Sequence, residues 1–154
     1  MELHTLSLLI ATILMWVAVL VGTFQRVIEM PKWFKNPPSS FELIRAQSGK
    51  AKAFWIPLSV LFMTSVFTAL VLNWNGSKDV RIHIIGAIAC YALTGILSGL
   101  YFVKEVIAFT KIPANAPQTP ELLKRTRFWL RWTTIRDVLQ WAAASFLTIA
   151  FNHA

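Results

Sequence analysis

The sequence predicts an all-α fold, an integral membrane four-helix bundle with both termini on the non-cytoplasmic side. Hydrophobic residues make up 56% of the 154 residues and charged residues 14%, whereas a soluble domain has roughly 25% charged residues. Four stretches of at least 17 residues contain no Asp, Glu, Lys or Arg, and a helix needs about 20 apolar residues to cross a bilayer. The predicted spans are residues 3–25, 53–75, 82–104 and 134–153.

The four apolar stretches are expected to be helices of a single domain, residues 1–154. A backbone amide in lipid needs a partner within the protein, so a spanning segment is a helix or a strand of a closed barrel. The alternating pattern of barrel strands is absent. The first span follows Met1-Glu2 without a basic region or a small-residue cleavage signature, so we expect it to be retained and not removed as a signal peptide.

The net charge of +8 is distributed as in a membrane protein. Thirteen of the fifteen Lys and Arg residues lie in residues 26–52 and 104–136, and only Lys78 and Arg81 lie between the second and third spans. The positive-inside rule places the basic loops, 26–52 and 105–133, in the cytoplasm, and a bacterial inner membrane is the expected location. The predicted partner is the lipid bilayer with its anionic lipids, and nucleic acid is not expected.

Two helix starts are predicted in the basic loops. Thr119-Pro120-Glu121 combines an N-cap hydroxyl, a proline at the first helical position and an acid in the first turn. This pattern predicts that the fourth helix begins near residue 120, well before the membrane. Ser40, which precedes an apolar "FELI", predicts a short amphipathic helix on the membrane surface.

A polar face enters the membrane at the start of the last span. The final apolar run has 17 residues and reaches only about 26 Å, less than the hydrocarbon core of about 30 Å. Arg136 and Asp137 are therefore expected at the edge of that core, where ionisable side chains usually face the bundle interior or a water-filled cavity. Helical spacing predicts one inward face, and a pocket open to the cytoplasm, formed by Trp129, Trp132, Thr133, Arg136 and Gln140.

A second interpretation treats the same residues as membrane anchors, because Arg and Trp side chains often lie at the interface. A buried arginine needs a carboxylate partner. Arg26 enters at a similar depth, and the available carboxylates are Glu29, Glu105 and Asp137. The sequence leaves open which pairs form.

The predicted non-cytoplasmic side carries His4, His83 and His153, one at the end of each of three spans. Three converging histidines would bind zinc or copper, or two would ligate a haem, although histidines at helix ends are also ordinary interfacial residues, and no metal or other cofactor is predicted. In the third span, Gly95 and Gly99 have the spacing that lets another helix approach closely. The first interpretation is packing within the bundle, and the second is a homo-oligomer.

The segment "FWLRWTTIRDVLQW", preceded by "KIPANA", resembles the end of the anthrone-oxygenase-like family of small four-helix membrane proteins. Pro113 and Asn115 match the family's Pro-x-Asn element after the third helix. Trp129, Thr133 and Arg136 match its Trp, polar residue and Arg at the opening of the fourth helix. The polar residue is commonly His in that family and is Thr133 here.

The resemblance implies a cofactor-free oxygenase that oxidises a lipophilic anthrone, a reduced tricyclic phenol, to an anthraquinone with O₂. Arg136 would stabilise the developing oxyanion, and Thr133 and Gln140 would orient the carbonyl. Glu29 or Glu105 would be the base. The remaining predicted substrate-binding residues are Trp129 and Trp132, which would stack on the rings, with Asn115 and Arg26 beside them.

Whether the protein is an enzyme remains open from the sequence. One alternative is a non-catalytic membrane module that acts in binding, assembly or transport. Another is a trimeric glutathione-dependent membrane enzyme, which shares the size, the number of spans and the topology. The second helix, however, opens with "GKAKAFWIPLSVLF", which lacks the Arg/Asn/Glu-rich pattern of that class.

Overall fold

The computed structural model describes residues 2–154, which form four long helices and no strand. The all-helical fold predicted from the sequence is therefore confirmed. The helices are α1 (Leu3–Trp33), α2 (Ser39–Leu72), α3 (Lys78–Lys111) and α4 (Pro120–Asn152).

Three of these helices, α1, α2 and α3, are long and apolar enough to cross a membrane. They contain the first and third predicted spans and all but the last three residues of the second, 53–75, because the helix ends at Leu72. Helix α4 is of similar length, with 33 residues, but its first half carries Glu121, Lys124 and five further charged residues between Arg125 and Asp137. Its apolar part is consequently confined to the second half, where the fourth span is predicted.

Neighbouring helices run antiparallel around a ring in chain order. On α1 and α4, Trp16 Nε1 donates a hydrogen bond to Thr148 Oγ1 (3.0 Å), and nearer the other end Trp141 Nε1 donates to Thr23 Oγ1 (3.1 Å). Helix α1 also packs on α2, and α3 packs on α4, whereas α2 and α3 make fewer contacts with each other. We call the end with both termini the terminal end, and the end with the α1–α2 and α3–α4 connections the loop end.

The predicted basic loops are mostly helical. Helix α1 continues through a π-helical turn, Gln25–Glu29, and α3 continues through another, Ser98–Phe102. The connections are therefore short, residues 34–38 and 112–119. The extra residue of each π turn is accommodated without ending the helix. Helices α1 and α3 therefore continue past the ends of the predicted spans.

The two predicted helix starts have different outcomes. Helix α4 begins at Pro120, and the Thr119 hydroxyl accepts a hydrogen bond from the backbone N–H of Leu122 (3.2 Å), which confirms the predicted cap. The predicted surface helix at Ser40 does not form as a separate element. A 3₁₀ turn, Ser39–Phe41, leads directly into the α-helical part of α2, which continues through Gly49 and Pro57 into the second predicted span.

The bundle has two hydrophobic cores. The terminal-end core is mostly aliphatic, and its buried residues are Leu8, Ala11, Met15, Ala18, Val19, Leu58, Phe62, Val66, Ala69, Val80, Ile84, Ala87, Ala143, Ala144, Leu147 and Ala150. The loop-end core is rich in aromatic rings, and its buried residues are Met30, Phe41, Ile44, Phe102, Phe109, Leu122 and Trp129.

The glycines of α3 differ in their surroundings. A Cβ on Gly86 would lie 3.3 Å from the Phe146 ring, so this glycine packs inside the bundle. A Cβ on Gly95 or Gly99 would meet no atom within 4 Å. Bundle packing, the first interpretation of the Gly95 and Gly99 spacing, therefore does not account for these two glycines.

Arg45 connects α2 to the end of α3 at the loop end. Arg45 of α2 donates hydrogen bonds from Nε to the carbonyl of Thr110 (2.8 Å) and from Nη2 to the carbonyl of Ile112, at the C-terminal end of α3. Its Nη1 is paired with Glu42. Helix C-termini have unpaired carbonyls and a partial negative charge, so a guanidinium at this position stabilises the end of α3.

Candidate functional site

The inward face of α4 carries polar residues where the two cores meet. Its buried residues in this region are Trp129, which also belongs to the loop-end core, Thr133, Asp137 and Gln140, with exposed fractions of 2%, 0%, 3% and 7%. Three of these four were predicted to face inward. Asp137 lies four residues after Thr133 and three before Gln140, and this spacing places it on the same face. From the sequence, Asp137 is predicted only as a possible ion-pair partner, although its helical spacing from Thr133 and Gln140 already places it on the inward face.

Asp137 is paired with Arg26. The Nε of Arg26 donates a hydrogen bond to Oδ2 of Asp137, and the Asp137 side chain is only 4% exposed. Arg26 lies in the π-helical turn of α1, which turns its side chain toward α4. The second carboxylate oxygen, Oδ1, is buried and has no hydrogen-bond partner among residues 2–154. One acceptor therefore remains free on a buried carboxylate.

Arg136 lies on the α3 side of the same turn of α4. Its guanidinium carbon is 4.8 Å from the centroid of the Phe102 ring, a cation–π distance. Phe102 is the last residue of the π-helical turn in α3. The Nε of Arg136 is buried without a hydrogen-bond partner, and Arg136 forms no ion pair with any carboxylate of residues 2–154.

The two arginines lie near a single buried carboxylate, and only Arg26 is paired with it. Arg26 and Arg136 carry two positive charges, and Asp137, which follows Arg136 on α4, carries one negative charge. A buried polar or charged group without a partner is costly, so the arrangement favours an additional hydrogen-bonding anion or polar ligand.

Trp129 lies at the centre of the loop-end aromatic rings. Its ring centroid is 5.3 Å from that of Phe34, 5.4 Å from that of Phe102 and 6.3 Å from that of Trp33. Its indole Nε1 is buried and has no hydrogen-bond partner among residues 2–154. A buried indole N–H normally finds a partner, so Trp129 offers an unused donor one to two helical turns from Arg136.

The other predicted residues of this face have defined roles in packing. The Thr133 hydroxyl donates to the carbonyl of Trp129 within α4 (2.9 Å). Trp132 is partly buried against the loop-end core. The side chain of Gln140 lies against α1, where its Oε1 would be 3.0 Å from a Cβ on Gly22. Gly22 therefore makes room for Gln140 between α1 and α4.

Three predicted residues lie apart from Arg136. Glu105 forms a two-oxygen ion pair with Arg125, with N–O distances of 3.0–3.2 Å. Glu29 is partly exposed in the π-helical turn of α1 and forms no ion pair within residues 2–154. Asn115 is exposed in the α3–α4 connection. Trp129, Thr133, Arg136 and Gln140 follow one another along α4, and Arg26 joins them through its ion pair with Asp137, whereas these three residues lie elsewhere on the chain or are paired with other groups.

The histidines do not converge. His4 Nδ1 lies 3.3 Å from a carboxylate oxygen of Glu2, and His83 Nδ1 lies 2.7 Å from the carbonyl oxygen of Asp79. His153 is exposed after α4. Within residues 2–154, no group of three or more His, Cys, Asp or Glu side chains is arranged to hold a metal ion.

Comparisons with protein-family models, with curated proteins and with solved structures return no match to this chain. The resemblance to the anthrone-oxygenase-like family therefore rests on residues 113–136 of the sequence. Within that segment, the structure buries Trp129 and Thr133 and leaves Pro113 and Asn115 exposed.

Proposed function

We propose that the protein is a small integral membrane enzyme that binds a lipophilic aromatic molecule with an ionisable oxygen at the loop end. The observation that carries this proposal is the buried Nε of Arg136 without a partner, beside a carboxylate with one unpaired oxygen. Such a site suits a ligand that accepts a hydrogen bond from a guanidinium and donates a proton to a carboxylate. A phenol or the enol of an anthrone has both properties.

The proposed topology places this site at the cytoplasmic edge of a bacterial inner membrane. All four helices cross the membrane, with α4 doing so through its apolar second half, and both termini lie outside. The excess of Lys and Arg at the loop end supports this orientation. A substrate dissolved in lipid would then reach the polar residues without leaving the bilayer.

The proposed residue roles differ in one respect from those expected from the sequence. Arg136 stabilises the substrate oxyanion, and Trp129 donates its free indole N–H or stacks on a ring. Asp137 takes the role of base instead of Glu29 or Glu105, because Glu105 is already paired with Arg125. Arg26 orients the Asp137 carboxylate through its hydrogen bond to Oδ2.

With an anthrone as substrate, the chemistry balances with O₂ as the oxidant. Asp137 accepts a proton from the ring methylene, and the electron pair passes to the carbonyl oxygen beside Arg136. The methylene carbon then forms a C–O bond with O₂, and after protonation the hydroperoxide loses water to leave a carbonyl. The methylene is oxidised to the quinone carbonyl, and O₂ is reduced to one hydroperoxide oxygen, which leaves as water, and one carbonyl oxygen.

Ligand entry requires motion of the aromatic rings. Trp129 is surrounded by Trp33, Phe34 and Phe102, and two depressions at the loop end are lined by residues 112–131 and not by Arg136. A tricyclic ligand would therefore separate these rings on binding. The same close packing also favours the second candidate function, a non-catalytic module in which the Arg26–Asp137 pair fixes α1 against α4.

The substitution Arg136→Gln separates these two functions. We expect it to abolish formation of anthraquinone from a hydroxylated anthrone, followed by absorbance and O₂ consumption, while the thermal unfolding midpoint in detergent stays near that of the wild type. Lys104→Gln, which removes an exposed cation from α3, is the matched control and should retain turnover. Wild-type protein that neither turns over anthrones nor retains a quinone or phenol detectable by mass spectrometry would favour the non-catalytic module.

A further inference from the structure

A shallow groove runs along the outer face of α4 at the loop end. It has a volume of about 440 Å³ and is lined by Pro120, Lys124, Arg127, Phe128 and Arg131. The three cations follow one another at spacings of three and four residues, which places them on one face of the helix. The groove therefore combines a line of positive charges with two apolar side chains.

The positive charges of this groove are not neutralised. Lys124, Arg127 and Arg131 form no ion pair with any carboxylate of residues 2–154. The nearest acid along the helix, Glu121, lines a separate depression together with Arg125. Three adjacent unpaired cations repel one another, so an anion bound between them would relieve this repulsion.

Aromatic residues indicate the depth of the groove. Phe128 is 50% exposed, and its ring centroid is 5.8 Å from that of Tyr101 and 5.9 Å from that of Trp132. Aromatic rings favour the membrane–water interface. Lys124 and Arg131 are about 10 Å apart along the helix axis, and the headgroup layer of one leaflet is about 5–8 Å thick. Arg131, about 8 Å from Arg136 along the helix axis, is thus at the depth of the headgroup layer, and Arg127 and Lys124 follow on its water side.

We propose that this groove is a binding site for the headgroup of an anionic glycerophospholipid. The phosphodiester lies between Arg127 and Arg131, an uncharged polyol head lies near Lys124, and an acyl chain passes Phe128 into the bilayer. A zwitterionic head is disfavoured because the groove has no carboxylate for its amine, which would face Lys124. The site goes beyond the proposed substrate, and it rests on the proposed placement of the loop end at the membrane surface.

Native mass spectrometry of the purified protein tests the site. Delipidated protein in mild detergent is titrated with phosphatidylglycerol or with phosphatidylcholine of the same acyl chains. We expect preferential retention of phosphatidylglycerol. The variant Lys124→Gln/Arg127→Gln/Arg131→Gln should weaken that retention roughly 100-fold, because each basic residue near an anionic lipid surface contributes about fivefold. The single variant Arg127→Gln should weaken it about fivefold, which keeps the test decisive if the triple variant does not fold.

The matched control is Lys32→Gln/Lys50→Gln/Lys52→Gln. It removes the same charge from exposed residues of α1 and α2 and should change retention less than about fivefold. An equal loss in both triple variants would mean that a diffuse surface potential attracts the lipid, and would overturn the site. Displacement of the lipid by millimolar inorganic phosphate would assign the groove to free phosphate and would also overturn it.

The lipid assay is independent of the proposed enzymatic site. Arg136→Gln should retain phosphatidylglycerol as the wild type does, because Arg136 does not line the groove. Loss of lipid preference in a wild-type protein that still oxidises anthrones would overturn the groove alone. Retained lipid preference without turnover would overturn the proposed function alone.

Discussion

The two hydrophobic cores of the bundle differ in composition. Seven of the sixteen buried residues of the terminal-end core are alanine and one is aromatic, whereas four of the seven buried residues of the loop-end core are aromatic. Helices in lipid gain little from burying apolar surface, so small residues that allow close backbone contact stabilise their association. In contact with water, large rings contribute the hydrophobic effect. The difference supports the proposal that the membrane boundary lies between the cores.

The polar residues lie where the two cores meet. Arg26, Asp137 and Gln140 fill the α1–α4 interface where neither core continues. Charged groups are least costly near the edge of the hydrocarbon and most useful where water is partly excluded. The candidate site therefore lies where the aliphatic and the aromatic core meet.

The largest expected effect comes from removing one buried phenylalanine in each core. Phe41 and Phe62 are 0% and 1% exposed. Phe41→Ala should lower the free energy of unfolding by about 3–5 kcal/mol. Phe62→Ala should cost less, because a phenylalanine released within the membrane enters lipid and not water, so that only its packing contacts contribute. Denaturant titration of both variants in the same detergent measures the difference. A larger loss for Phe62→Ala would contradict the proposed boundary.

A second effect concerns the buried ion pair. Arg26→Leu leaves the Asp137 carboxylate without its partner and should destabilise the protein by about 3 kcal/mol. The double variant Arg26→Leu/Asp137→Leu should be more stable than this single variant, since the Asp137 carboxylate is removed together with its partner. Thermal unfolding of the single and double variants gives the coupling between the two residues.

The control for the ion pair is Arg125→Leu. Arg125 is 40% exposed and pairs with Glu105 at the loop end, so its loss should cost no more than about 1 kcal/mol. Equal destabilisation by Arg125→Leu and Arg26→Leu would show that the boundary site is not distinguished by burial.

The smallest expected effect distinguishes the glycines of α3. Gly95→Ala adds a methyl group in open space and should leave stability unchanged or raise it by up to about 1 kcal/mol. Gly86→Ala should be less stable than Gly95→Ala because its methyl group meets the Phe146 ring at 3.3 Å. Thermal unfolding compares the two variants.

The same glycine variants test the homo-oligomer predicted from the sequence. Light scattering in one detergent gives the particle mass of the wild type, Gly86→Ala and Gly95→Ala. A smaller mass for Gly95→Ala alone would show that a second copy packs on the open Gly95 face, whereas monomeric wild-type protein would exclude that interface in detergent.

Composition and local pattern determined the helical fold. Long stretches without charge predicted three helices that the structure shows to be long and apolar enough to span a membrane, and Thr119-Pro120 fixed the start of α4. Spacing along α4 placed Trp129, Thr133 and Gln140 on the buried face. The helical spans, the start of α4 and its buried face depend on residues that are close in sequence. The local sequence pattern is therefore sufficient to predict them.

Only the tertiary structure decided which charges meet. Arg26 and Asp137 are separated by 111 positions, and their contact depends on how α1 packs against α4 and on the π-helical turn that carries Arg26. The same packing places Arg136 beside Phe102 and pairs Glu105 with Arg125. Helix registry is set by the fit of all side chains at an interface, and the local pattern of one helix does not specify it.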